Sequence, residues 1–130
     1  MKNLAVITIV FLLLVSCKEY SKVISLEGSW QFALDSTDVG ISQGWYKKDF
    51  NDKIALPGIT DEAGKGVPNL LTPSIGKPQV LHLTRKNRYV GPAWYSKEIN
   101  IPSDWKDKQI RLFLERVIWS TTVWVDGIEI

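Results

Sequence analysis

The sequence predicts an all-β sandwich, and three observations carry that prediction. Short runs alternate apolar and polar residues with the period of a strand. Asp126-Gly127 stands between two such runs, and no stretch beyond residue 17 has the apolar spacing of an amphipathic helix. With 130 residues and 45% hydrophobic content, the chain is sized for one compact domain.

The elements follow in order. In residues 29–34, Trp30, Phe32 and Leu34 share one face while Ser29, Gln31 and Ala33 share the other, the pattern of a half-buried strand. Residues 35–44 are polar and punctuated by glycine, hence a loop. Residues 57–92 hold five of the six prolines and five of the nine glycines, so this stretch reads as loop, with one short strand at 80–84. A loop of that length inside a compact domain marks a functional segment or a disordered one. Tyr95, Lys97, Ile99 and Ile101 then line one face of a strand that Pro102 ends, and 103–108 is a polar turn around Trp105. Residues 109–115 place Ile110, Leu112 and Leu114 on one side of a further strand, and 121–126 runs into the Asp-Gly turn. A two-residue type I′ turn needs positive φ at both central positions, which Asp-Gly supplies. The chain stops at Ile130 on the second strand of that hairpin, so the expected sandwich is incomplete at its C-terminus.

The beginning of the chain reads as an address. Met1-Lys2-Asn3 is a short positive start, and residues 4–15 contain only one polar side chain, Thr8. As a helix, twelve residues span roughly 18 Å, short of the ~30 Å hydrocarbon core, which favours a secretory segment over a transmembrane one. Leu14-Val15-Ser16-Cys17 resembles the bacterial lipobox, in which the cysteine is lipidated and becomes the new N-terminus. The other reading is an ordinary signal peptide followed by a chance cysteine. With the lipobox, residues 1–16 are a lipoprotein signal peptide, 17–25 a lipidated tether and 26–130 the folded domain. Several acyl chains on Cys17 would anchor the protein stably in the bacterial cell envelope, at the outer membrane.

Composition excludes several function classes. The 16 Lys and Arg nearly balance the 14 Asp and Glu, giving a net charge of +2 that argues against a nucleic-acid-binding arm. One cysteine and one histidine cannot build a structural zinc site or an intrachain disulfide, and a nucleophilic triad has little to draw on. No cofactor or metal is expected.

Four pieces carry a family resemblance: Leu26-Glu27-Gly28-Ser29-Trp30-Gln31-Phe32; Leu56-Pro57-Gly58; Gly91-Pro92-Ala93-Trp94-Tyr95; and Trp119-Ser120-Thr121-Thr122-Val123-Trp124-Val125-Asp126-Gly127. In this order the series resembles the N-terminal sugar-binding domain of family-two glycoside hydrolases, the β-galactosidase and β-glucuronidase group. The resemblance implies a jelly-roll β-sandwich of the galactose-binding type. It also implies a downstream immunoglobulin-like domain and a TIM barrel that holds two catalytic glutamates. Retaining glycosidases need two carboxylates about 5–5.5 Å apart, and the family's pair belongs to barrel strands outside this chain, so no catalytic residue is carried over. Asp61-Glu62 are adjacent and would diverge on an extended backbone, while Glu98 and Glu115 sit singly within strand patterns.

The remaining features divide between structure and recognition. Gly64-Lys65-Gly66-Val67-Pro68-Asn69 opens like a phosphate-binding loop but lacks the third glycine and the helix, so it reads as a turn. Arg85-Lys86-Asn87-Arg88-Tyr89 is a basic cluster that reads as a solvated connector, with an anionic partner as the other reading. His82 reads as structural. Trp30, Trp94 and Trp124 fall in strand patterns and read as core. Aromatic rings also stack on sugar faces, and the candidate sugar-binding residues are Asp61, Glu62 and Asn69 in the loop 60–69, with Trp45 and Trp119 near loops. In the family, a loop of this domain reaches toward the active-site mouth. Two functions emerge: a domain that supports and shapes the substrate site of a catalytic barrel acting on β-galactoside- or β-glucuronide-like glycans, and a stand-alone glycan-binding lipoprotein.

Acylation of Cys17 has a direct test. Cys17→Ser is expected to move the protein from the membrane fraction to the soluble one. Equal membrane retention of the variant would refute a lipid anchor at this residue.

Overall fold

The computed structural model of the chain describes residues 22–70 and 84–130. The expected signal peptide, Cys17, His82 and residues 80–83 of the expected 80–84 strand lie outside the described residues. Those described form an all-β arrangement of short antiparallel strands: β1 (Gly28–Leu34), β2 (Asp52–Leu56), β3 (Val67–Pro68), β4 (Asn87–Arg88), β5 (Ala93–Ser96), β6 (Trp124–Val125) and β7 (Ile128–Glu129). Two single-turn 3-10 helices, Trp45–Lys47 and Ser103–Trp105, interrupt the loops. Three sheets result, in the orders β2-β1-β5, β3-β4 and β6-β7. This is the all-β class that the alternating runs predict.

Strand β1 is the organising element because it is paired on both edges. On one side Gly28 faces Leu56 and Phe32 faces Asp52; on the other Gln31 faces Ser96 and Leu34 faces Ala93. Its alternation sets the core. Phe32 is 1% exposed, Ile54 opposite Trp30 is 3% exposed, and the Tyr95 ring meets Phe32 edge-on at 5.1 Å. The polar face of β1 fastens the approach to its neighbour. The Gln31 side-chain oxygen accepts the backbone N–H of Phe50 at 2.8 Å, just before β2 begins.

β2 was not evident from sequence, because Asp52-Lys53-Ile54-Ala55-Leu56 offers only two large apolar residues and stands next to a proline. Its place in the sheet comes from β1. The expected strand through Ile101 stops at Ser96. There the Lys97 ammonium, rather than a strand backbone, donates to the carbonyls of Glu27 and Ser29 at 3.1 and 3.2 Å, while lying 5.6 Å over the Trp30 ring.

The expected strand at 109–115 is absent. Its alternation is real, but a strand exists only where a second backbone supplies the ladder, and none of the described strands pairs with this segment. Ile110, Leu112, Phe113 and Leu114 are all exposed, on both faces. The strand expected at 121–126 shrinks to Trp124–Val125, and its hairpin forms as predicted. Asp126 and Gly127 take φ of 50° and 78°, Val125 faces Ile128, and the Ile130 N–H extends the ladder to the Val123 carbonyl at 3.0 Å.

One buried carboxylate ties the loop 35–44 to the sheet. Asp35, 1% exposed and next after β1, accepts the N–H groups of Val39 (2.9 Å) and Gly40 (2.7 Å) and the indole N–H of Trp94 in β5 (3.2 Å). Its own N–H donates to the Pro92 carbonyl at 2.9 Å. Gly40 is obligatory on steric grounds: a Cβ there would run into the Trp94 indole nitrogen and sit 2.6 Å from Asp35 Oδ2. Burial pushes the Asp35 carboxyl up, but the donors Val39, Gly40 and Trp94 outweigh it and hold the pKa below the ordinary 3.8.

The sign of the linkage follows. A carboxylate with a depressed folded pKa contributes fully above the unfolded value and loses its contribution as pH falls through the folded one. Asp52 and Asp104, held low by hydrogen bonds from Lys65 and Lys22, titrate in the same direction. Tryptophan fluorescence and stability are therefore expected to hold from neutral pH down to about pH 4 and to change together below it. Stability that stays constant as the pH falls far into the acid range, or a loss on raising the pH instead, would contradict this.

Candidate functional site

Two neighbourhoods gather the residues that the sequence marks for recognition. The first is built by residues 59–69 folding against the β3–β4 ribbon. Turns close this loop on itself, with Ala63 N–H donating to Ile59 O (3.1 Å), Gly64 N–H to Asp61 O (3.0 Å) and Lys65 N–H to Thr60 O (2.8 Å). The phosphate-loop resemblance of 64–69 thus resolves as a turn leading into β3. Gly66, at φ 112°, lies so close to β4 that a Cβ would stand 2.6 Å from the Arg88 carbonyl oxygen. Only glycine allows this approach together with that φ.

Asp61 and Asn69 both act on the ribbon. Asp61 Oδ1 accepts the Asn87 N–H at 2.6 Å, and its carbonyl accepts the Asn87 side-chain amide at 3.0 Å. Asn69 donates from its backbone to Lys86 O at 2.7 Å and from its side chain to Arg85 O at 2.9 Å. These residues hold the backbone of the basic cluster in place, through contacts that span 16 to 26 positions of sequence. Glu62, beside Asp61, is exposed.

Where the ribbon meets residue 70 there is an open depression of about 290 Å³, lined by Val67, Pro68, Asn69, Leu70, Arg88, Tyr89 and Val90. Tyr89 is fixed there: its hydroxyl donates to the Pro92 carbonyl and its ring edge lies against Gly91. Burial raises the phenol above its ordinary pKa, so it stays a neutral donor. Sequence reasoning placed Arg88 and Tyr89 in a basic cluster read first as a solvated connector, with an anionic partner as the other reading, and outside the candidate sugar-binding set. The available signal was a Tyr immediately after a basic run and two residues before Gly91-Pro92.

The second neighbourhood is a chain of aromatic rings. Phe50, Trp45, Trp94, Trp124 and Tyr46 succeed one another with centroid separations of 5.9, 6.2, 5.0 and 5.5 Å, and the Tyr46 and Trp124 planes are within 9° of parallel. Trp94 and Trp124, expected as core, are half-buried within this chain. It docks the β6–β7 hairpin onto the sheet, since Trp94 belongs to β5 and Trp124 to β6. Trp45 takes its place in it from the 3-10 turn, with Lys48 5.9 Å over its ring and its indole N–H donating to Gln43 at 3.1 Å. Lys47 lies 5.5 Å over Tyr46, and its stem crosses Gly127. Trp119 joins neither neighbourhood: it is 93% exposed at φ 79°. Among the described residues no group of three or more His, Cys, Asp or Glu stands close enough to hold a metal ion.

Removing Asp61 separates its structural work from that of its neighbour. Asp61→Ala is expected to cost about 1–3 kcal/mol by leaving the Asn87 N–H unpaired. Glu62→Ala should stay within about 0.5 kcal/mol. Denaturant midpoints for the two variants, with amide exchange at Asn87, check this; equal effects would refute the division.

No solved structure matches the chain. Residues 23–130 match the family described as glycosyl hydrolases family 2, sugar binding domain, from within the expected tether through the β6–β7 hairpin. The ordered motifs around β1, β2, β5 and β6 fall within that span, and by this match over most of its length the chain belongs to the sugar-binding domain family of the family-two glycosyl hydrolases.

Proposed function

We propose that this domain serves as the N-terminal, carbohydrate-binding part of a retaining family-two glycosidase, beside a catalytic barrel that supplies the two carboxylates, and that it helps shape the site for a β-galactoside- or β-glucuronide-like glycan. The observation that carries this reading is the family match over residues 23–130. Two structural features support it. The loop 59–69 and the β3–β4 ribbon present polar and aromatic groups on one open surface, as sugar recognition requires. Residues 110–119 expose a run of large apolar side chains, with Phe113 at 80%, Ile118 at 79% and Trp119 at 93%, the kind of surface that an adjoining domain covers. Anchoring through Cys17 in the bacterial outer membrane belongs to the same proposal, since a tethered glycosidase acts on glycans at the envelope.

Two measurements test the reading together. The chain alone is expected to bind neutral β-linked galacto-oligosaccharides in titration calorimetry and to leave aryl β-galactosides and β-glucuronides unhydrolysed. The DNA beyond the codon for Ile130 is expected to continue in frame into a barrel with two glutamates. Hydrolysis by the chain alone would overturn the assignment of chemistry to the barrel. A stop codon there, with glycan binding intact, would establish the stand-alone binding lipoprotein in its place.

A further inference from the structure

The charges of this chain are segregated in a way that its net charge of +2 conceals. Residues 63–97 contain no Asp or Glu and carry six cations: Lys65, Lys77, Arg85, Lys86, Arg88 and Lys97. The other ninety-five residues carry ten cations against fourteen acids. Of the five among the described residues, Lys65 is bound to Asp52, and Lys97 to the carbonyls of Glu27 and Ser29. Arg85, Lys86 and Arg88 are exposed, and none forms an ion pair among the described residues. Their backbone, by contrast, is held firmly, since Asn69 takes the carbonyls of 85 and 86 and Asp61 takes the N–H of 87. Asp61, the carboxylate in contact with this ribbon, is thereby occupied by Asn87.

The result is a ribbon with a held backbone and exposed cations, of which Arg88 lines the depression. Arg88 and the anchored Tyr89 ring both line it, with Val67 and Val90 as apolar walls. An aromatic face with aliphatic neighbours suits the C–H face of a pyranose. A guanidinium presents paired N–H donors that match the two oxygens of a carboxylate or sulfate. We propose that this depression binds the anionic group of an acidic glycan, a uronate carboxylate or a sulfate ester, with Arg88 pairing the charge and Tyr89 carrying the sugar ring. Lys86 and Arg85 raise the local positive potential that draws such a chain in. The inference rests on the carbohydrate-binding reading above and adds the charge of the ligand and the residues that read it.

The test titrates the full chain with three oligosaccharides of equal length: an oligogalacturonate, a sulfated galactan fragment and a neutral galactan fragment. At least one anionic oligosaccharide is expected to bind about tenfold or more tightly than the neutral one, through charge-assisted hydrogen bonds. That preference should shrink at high salt. Which of the two binds tighter identifies carboxylate or sulfate as the group read. Arg88→Gln should abolish the preference, and Arg88→Lys should keep part of it. Equal affinity for anionic and neutral oligosaccharides, or a preference that survives Arg88→Gln, would overturn this inference and leave carbohydrate binding standing. Polyglutamate binding as tightly as the acidic glycans would overturn it too, showing attraction to any polyanion. No binding of any oligosaccharide would overturn the carbohydrate reading itself.

Discussion

The carboxylate of Asp35 ties the loop 35–44 to Trp94 of β5 just beyond the end of β1. It is buried without a cation, and it is stable there because every group that faces its oxygens is a donor: two backbone N–H groups from the loop 35–44 and the indole of Trp94. A buried charge with its lone pairs satisfied fixes geometry more tightly than an apolar contact, since each donor has a direction. That geometry propagates. Trp94 is held at one end by Asp35 and meets Trp45 and Trp124 with its ring, so the 3-10 turn and the β6–β7 hairpin are positioned through one indole. The same loop returns to Pro92, whose carbonyl accepts the Asp35 N–H and the Tyr89 hydroxyl. Both neighbourhoods of the candidate site thus lead back to the end of β1.

The legible part of this architecture is what depends on local pattern. The β1 alternation, the Asp126-Gly127 turn and the polar turn around Trp105 each arise from a few adjacent residues, and each stands where the pattern puts it. The stretch 57–92, read as loop apart from 80–84, also contributes β3 and β4, which exist by pairing with each other. What depends on a distant partner was not legible. β2 exists because β1 is beside it, residues 109–115 stay unpaired because no described strand is, and Lys97 ends β5 by reaching carbonyls about seventy positions away. The role of Asp35 was hidden for the same reason, because an Asp in a polar loop looks solvated until the indole of Trp94 closes over it.

The candidate site shows the corresponding limit on reading function from residue type. Asp61 and Asn69 have the chemistry of sugar-binding groups, and they stand in the expected loop, yet each makes hydrogen bonds to residues 85–87. Short polar side chains in turns find backbone partners readily, so their presence in a loop is weak information about ligands. The basic run they hold has the opposite character. Its side chains are long, exposed and without acids to pair, while its backbone is fixed.

Recognition needs both properties at once, a rigid frame and unsatisfied groups upon it, and they rarely belong to the same residue. In this domain they are divided across the β3–β4 ribbon. Gly66 permits the close approach, Asp61 and Asn69 supply the hold, and Arg88 and Tyr89 are left to face the depression. The acid-free composition of 63–97 completes the arrangement, because a single Asp or Glu within reach of Arg88 would neutralise it internally. A domain that only had to fold would gain from such a pairing, or lose nothing by it. Arg88 is left exposed on a backbone held in register, where the anionic group of the proposed glycan would find it.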